Sequence, residues 1–160
     1  VISPETGPAI REAVGDGGWH KTTHMTALDG HLWILDSGKL YRCDTKGASQ
    51  QVGDDDWGGA AALTALEGCL WLVHKGTLYK VDTKGAYEEA GDGDWGATVA
   101  MTSAGGFLWM IDSGALYRTT SKGKWGKAGK GDWRETKLLV GLDDALWAVS
   151  GGGLYKITIK

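Results

Sequence analysis

A four-bladed, all-β propeller is predicted by three features of this sequence. Trp19, Trp57, Trp95 and Trp133 recur at an interval of 38 residues, and so do Trp33, Trp71, Trp109 and Trp147. Each 38-residue unit divides into four short apolar or alternating runs separated by Gly-rich turns. No window shows helical periodicity with caps. Tyr41, Tyr79, Tyr117 and Tyr155 keep the same interval, as do Leu40, Leu78, Leu116 and Leu154, with no insertion or deletion. Such fixed self-similarity is the signature of a repeat architecture.

The second unit shows how each element arises. Ala60 to Ala65 is an apolar run, and Leu66-Glu67-Gly68 turns the chain. Cys69 to Val73 follows as a second strand, then the turn His74-Lys75-Gly76, then Leu78 to Val81 as a third. Asp82-Thr83-Lys84-Gly85 closes that strand, and Tyr87 to Ala90 forms a more polar fourth. Asp29-Gly30 and its copies are hairpin signals, because a tight turn between twisted strands needs positive φ.

The second strand of each unit is apolar on both faces. In Leu32-Trp33-Ile34-Leu35, Trp33 and Leu35 point one way and Leu32 and Ile34 the other. A strand of this kind must lie between two neighbouring sheets, and a 38-residue meander cannot cover both faces alone. Small sheets stacked face to face around an axis satisfy it. Residues 9–160 are four repeats cut between third and fourth strands, and Ile10 to Trp19 match Ala48 to Trp57 in phase. The N-terminal strand is therefore expected to complete the last blade and close the ring, within one chain or across a homodimer. Residues 1–8 fall outside the repeat as a leader.

Composition fits this reading and excludes others. The chain has 160 residues, 42% hydrophobic and 23% charged, as a folded domain does. It holds 27 Gly, nine Trp, one Phe and no Asn, so it has no N-glycosylation sequon. A net charge of −3 with interspersed signs gives no footprint for nucleic acid. No apolar run is long enough to insert into a membrane. Cys43 and Cys69 form no metal or disulfide framework and read as two free thiols. The chain begins at Val1 with no signal pattern, as a processed form or an excised domain would.

The motifs Gly30-His31-Leu32-Trp33 and Gly38-Lys39-Leu40-Tyr41, with a Trp opening each repeat, resemble the tectonin and tachylectin-like propeller repeats. The resemblance covers residues 9–160. It implies a lectin with repeated weak sites on one rim, acting on glycans of a cell or microbial surface, and favours an extracellular setting.

The residues themselves suggest where a ligand would sit. In a propeller, fourth-to-first and second-to-third connections open on one face. That face collects Asp16, Asp54, Asp92 and Asp132, the tryptophans Trp19, Trp57, Trp95 and Trp133, and the turn residues Asp36, His74, Asp112 and Ser150. Carboxylates accept from sugar hydroxyls, and an indole covers the C–H face of a pyranose. The same Asp residues also solve turn geometry on their own, since Asp bonds its own backbone. The tryptophans at 33, 71, 109 and 147 read as wedges between blades. Trp125 stands outside the repeat, on an outer strand.

No enzyme is expected, because acids recur with the repeat whereas catalysis needs an asymmetric constellation. No cofactor is expected, since no phosphate loop or nucleophile elbow occurs. His20, His24 and His31 cluster in the first repeat, but no metal motif accompanies them, and no metal is assigned. The alternative to a lectin is a non-catalytic protein-interaction or structural scaffold, designed or part of a larger protein.

Overall fold

The computed structural model describes residues 11–160. Fifteen β-strands and no helix appear among the described residues. They form four antiparallel sheets in chain order, a four-bladed β-propeller. The first blade holds β1 (Thr22–Leu28), β2 (His31–Asp36), β3 (Lys39–Cys43) and β4 (Ser49–Gln51). The second holds β5 (Ala62–Leu66), β6 (Cys69–His74), β7 (Thr77–Val81) and β8 (Tyr87–Glu89). The third holds β9 (Thr98–Ala104), β10 (Phe107–Asp112), β11 (Ala115–Thr119) and β12 (Trp125–Lys127). The fourth has β13 (Thr136–Leu142), β14 (Ala145–Ser150) and β15 (Gly153–Thr158), with no fourth strand among the described residues.

The expected turns are present. Asp29 and Gly30 both take positive φ, at 51° and 71°, as a type I′ hairpin requires. Glycine is obligatory where blades meet. Gly123, in the β11–β12 turn, lies so close to the Gly91 backbone that a Cβ would collide with it. The pair Gly85 and Gly53 repeats that approach one blade earlier, and Gly47 and Gly15 one blade before that.

Burial follows the two-faced second strand. Trp33, Leu35 and Leu40 pack with Leu63, Leu70 and Leu72 of the second blade. Trp71, Val73 and Leu78 pack in turn with Met101, Leu108 and Met110. Trp109, Ile111 and Leu116 meet Leu146 of the fourth blade. One face of each blade thus nests on the opposite face of the next, as expected for wedges between sheets. The buried indoles also satisfy their N–H: Trp33, Trp71 and Trp109 donate to the carbonyls of Leu28, Leu66 and Ala104 at 3.0–3.3 Å.

The seams are stitched by backbone as well. The Trp57, Trp95 and Trp133 amides donate to the Gly38, Gly76 and Gly114 carbonyls at 2.7–2.9 Å, linking each β2–β3-type turn to the start of the following blade. These turns and the interblade linkers therefore share one face.

Packing joins β1 to β5, β5 to β9 and β9 to β13, and among the described residues nothing comparable joins β13 to β1. The segment expected to close the ring is the one in which Ile10 to Trp19 match Ala48 to Trp57; its described part, residues 11–19, is not in a strand. The leader, residues 1–8, lies outside the described residues.

Candidate functional site

The residues predicted to bind ligand divide into three groups. Asp36, His74, Asp112 and Ser150 each end the second strand of a blade and are buried. Asp36 accepts from the Lys21 amide at 3.0 Å, the Thr22 hydroxyl at 2.9 Å and the Ser37 hydroxyl at 2.8 Å. Burial pushes its pKa up, but those Ser37, Thr22 and Lys21 bonds outweigh it and hold the carboxyl below its ordinary value. Asp112 repeats the arrangement with the Ala97 amide, the Thr98 hydroxyl and the Ser113 hydroxyl. Ser150 meets Thr136 Oγ1 at 3.1 Å. These side chains close the first strand against the second, and their acceptors are already taken.

His74 shows the rule by departing from it. The position of Thr22, Thr98 and Thr136 is Ala60 in the second blade, so a carboxylate there would lack its hydroxyl donor. His74 instead has Nε2 3.0 Å from the Gly58 carbonyl and stands edge-on to Trp57.

The repeat-opening tryptophans form the second group. Trp57 and Trp95 are 5% and 2% exposed, so their rings cannot lie against a sugar. Trp19 and Trp133 are half-buried, edge-on to Tyr41 and Tyr155 at 5.3 and 6.0 Å. Periodicity alone does not separate packing from contact at this position, because only the tertiary arrangement brings a tyrosine of the third strand under each indole.

Exposed acids make the third group. Asp16, Asp54, Asp92 and Asp132 do not share one role. Asp16, Asp54 and Asp132 face solvent, as does Asp92 at the linker into the third blade. Asp132 belongs in phase with Asp56 and Asp94, and all three accept the amide two residues ahead, at 2.8–3.1 Å. Asp132 is further gripped by Arg134, whose Nη2 lies 2.6 Å from Oδ2; this holds its pKa down at about 2. Its charge is engaged within its own turn. Lys39 Nζ reaches the carbonyls, not the carboxylates, of Asp54 and Asp55.

Two residues outside the predicted set assemble a different surface. Tyr87 on β8 and Trp125 on β12 are 48% and 47% exposed. Tyr87 packs edge-on against Trp57 and Tyr79 at 5.1 and 5.7 Å. Trp125 packs the same way against Trp95 and Tyr117 at 5.6 and 5.7 Å. Each ring is therefore held in an edge-to-face triad. Each also borders a carboxylate. Asp55 faces the Tyr87 hydroxyl, and its hydrogen bonding and charge raise the phenol above its ordinary pKa. Asp92 Oδ1 accepts from Trp125 Nε1 at 3.3 Å. The corresponding first-blade residue is Ser49, so this aromatic surface has no counterpart in the first blade. Trp125 was legible as the tryptophan the repeat does not explain; Tyr87 carried no such mark.

Among the described residues no group of three His, Cys, Asp or Glu side chains is placed to hold a metal. His24 lies 3.3 Å from the Ala61 carbonyl and His31 lies 2.9 Å from the Asp29 carbonyl, each engaged with backbone. Cys43 is buried and Cys69 half-buried, both free.

The fold and these surfaces define a β-propeller. No family model and no curated protein matches the sequence. Among solved structures, virginiamycin B lyase from Staphylococcus aureus is similar with a TM-score of 0.71 at 17% identity, over 87% of this chain and 52% of that one. A symmetrical protein from work on de novo evolutionary emergence has a TM-score of 0.69 at 20% identity, over 91% of this chain and 73% of that one. The computationally designed Ika4 protein has a TM-score of 0.68 at 15% identity, over 95% of this chain and 100% of that one. The chain spans about half the length of the lyases it matches. At these identities the likeness is one of fold.

Proposed function

We propose that this chain is a non-catalytic carbohydrate-binding propeller whose sugar platforms are Tyr87 with Asp55 and Trp125 with Asp92. The observation that carries the reading is the half-exposed aromatic ring, fixed by two others and bordered by a carboxylate. Such a ring covers the C–H face of a pyranose at little entropic cost, and the carboxylate accepts from its hydroxyls. A few fixed polar groups at the margin of an apolar surface set ligand orientation. Each platform is shallow and binds weakly; two per chain on a decorated surface gain strength by avidity. The repeat motifs that resemble tectonin and tachylectin-like lectins support the same class of ligand and an extracellular setting.

Binding to an array of immobilised glycans, followed by titration of tryptophan fluorescence with the captured sugar, tests this. The expected result is binding that Trp125→Ala and Tyr87→Ala each weaken, with Asp36→Asn leaving it unchanged. Silence across a broad array overturns it.

The unbroken 38-residue register favours a second reading, a scaffold that binds protein. The structural likeness to a designed propeller supports it too. Capture of one stoichiometric protein partner, unaffected by competing sugars, would select this reading.

A further inference from the structure

The repeat makes each residue its own control, and the two ends of the blade series fail that control in a complementary way. Leu40, Leu78 and Leu116 are 1%, 1% and 2% exposed, whereas Leu154, the same position in the fourth blade, is 70% exposed. Leu138, Val140 and Leu142 on the same side of that blade are 66%, 56% and 57% exposed. At the other end, Leu70, Leu108 and Leu146 are fully buried while Leu32 is 40% exposed. Leu63 and Met101 are 8% exposed and Met25 is 61%. The fourth blade thus presents the face that the first three use to meet a following blade. The first blade presents the face that the others use to meet a preceding one.

We propose that a second copy of this chain covers both faces, so that two chains close an eight-bladed ring. Each face complements the opposite one rather than itself. A two-fold axis therefore sets the fourth blade of each copy on the first blade of the other, forming two identical head-to-tail seams that close. The three internal seams are close-packed, and among the described residues no seam of that kind joins β13 to β1.

The strand edges agree. Among the described residues β15 pairs only with β14, and its outer edge lies beside a cavity of about 570 Å³ lined by Trp125, Lys127, Ile157 and Ile159. A free edge is a template for an added strand. The segment that fits is at hand. Val14 and Gly15 lie against Gly47 as Val52 and Gly53 lie against Gly85. Arg11 to Ala13 therefore stand, relative to the first blade, where β4 stands relative to the second. In the register of Tyr41 with Gln51 and Arg42 with Gln50, Ala13 falls opposite Tyr155 and Glu12 opposite Lys156. That places acid against base, as the pair Lys80 and Glu88 does in the second blade, at 3.9 Å.

Light scattering on the eluting protein should give twice 17.0 kDa. Leu154→Asp should halve that mass while far-ultraviolet circular dichroism stays as in the parent. The double variant Glu12→Cys with Lys156→Cys, in a Cys69→Ala background, should give a covalent dimer on a non-reducing gel. A monomeric mass for the parent overturns the proposal, as does a larger polymer. A disulfide joining positions 12 and 156 within one chain of that double variant overturns it too, by showing that four blades close alone.

Discussion

The indole Nε1 of Trp125 donates to the Asp92 carboxylate at 3.3 Å, tying the outer strand of the third blade to the linker that leads into that blade. The ring behind this bond is half exposed and touches two aromatic partners, while Trp95 beneath it is 2% exposed. Edge-to-face pairs each contribute roughly 0.5–1.5 kcal/mol beyond burial, and truncating a buried Trp costs about 3–5 kcal/mol. Trp125→Ala should therefore cost about 1–2 kcal/mol and Trp95→Ala about 3–5 kcal/mol in chemical denaturation. Equal costs would place Trp125 in the core and remove it as a binding platform.

The exchange of Asp for His at position 74 is coupled to the exchange of Thr for Ala at position 60. His74→Asp alone should destabilise the protein by about 1–2 kcal/mol, because a buried carboxylate is left short of donors. Adding Ala60→Thr restores the arrangement of Asp36 with Thr22, so the double variant should recover much of the loss. A double-mutant cycle from urea melts measures the coupling, and strict additivity would contradict it.

Thr119 Oγ1 is buried without a hydrogen-bond partner among the described residues, at a position where the second blade has Val81. Both side chains are 0% exposed. An unsatisfied hydroxyl costs roughly 1–3 kcal/mol relative to an apolar group of the same shape. Thr119→Val should raise stability by about 1 kcal/mol in the same melts; a loss of stability would show that the hydroxyl has a role.

Acid should act through specific carboxyls. The folded-state pKa of Asp36 is lowered, so its contribution is complete above the ordinary carboxyl value and is lost as pH falls through the folded one. Stability of the parent should therefore fall more steeply than that of Asp36→Asn below about pH 4, as read by thermal melts across pH. Asp132 should titrate at about 2 by carboxyl carbon resonance, moving up to the ordinary range in Arg134→Ala. An unshifted Asp132 in the parent would break the assignment of its partner.

The repeat interval determined the blades, their strands, the I′ turns and the face shared by Gly38 and Trp57, because these depend on local periodicity and turn chemistry. Trp33, Trp71 and Trp109 were legible as wedges for the same reason: a strand apolar on both sides has only one place to go. The site was not legible in that way. Asp36, Asp112 and the indoles of Trp57 and Trp95 carry the residue types of a sugar site, yet the fold surrounds the carboxylates with amides and hydroxyls and covers the indoles with tyrosines. Only tertiary packing decides whether a polar or aromatic side chain meets protein or water. The same holds in the fourth blade, where Leu154 sits in the same Gly-x-Leu-Tyr motif as Leu116 but is 70% exposed, with no blade of the described residues packed on it. Periodicity specifies which face a residue takes; what lies opposite that face is a property of the assembled molecule.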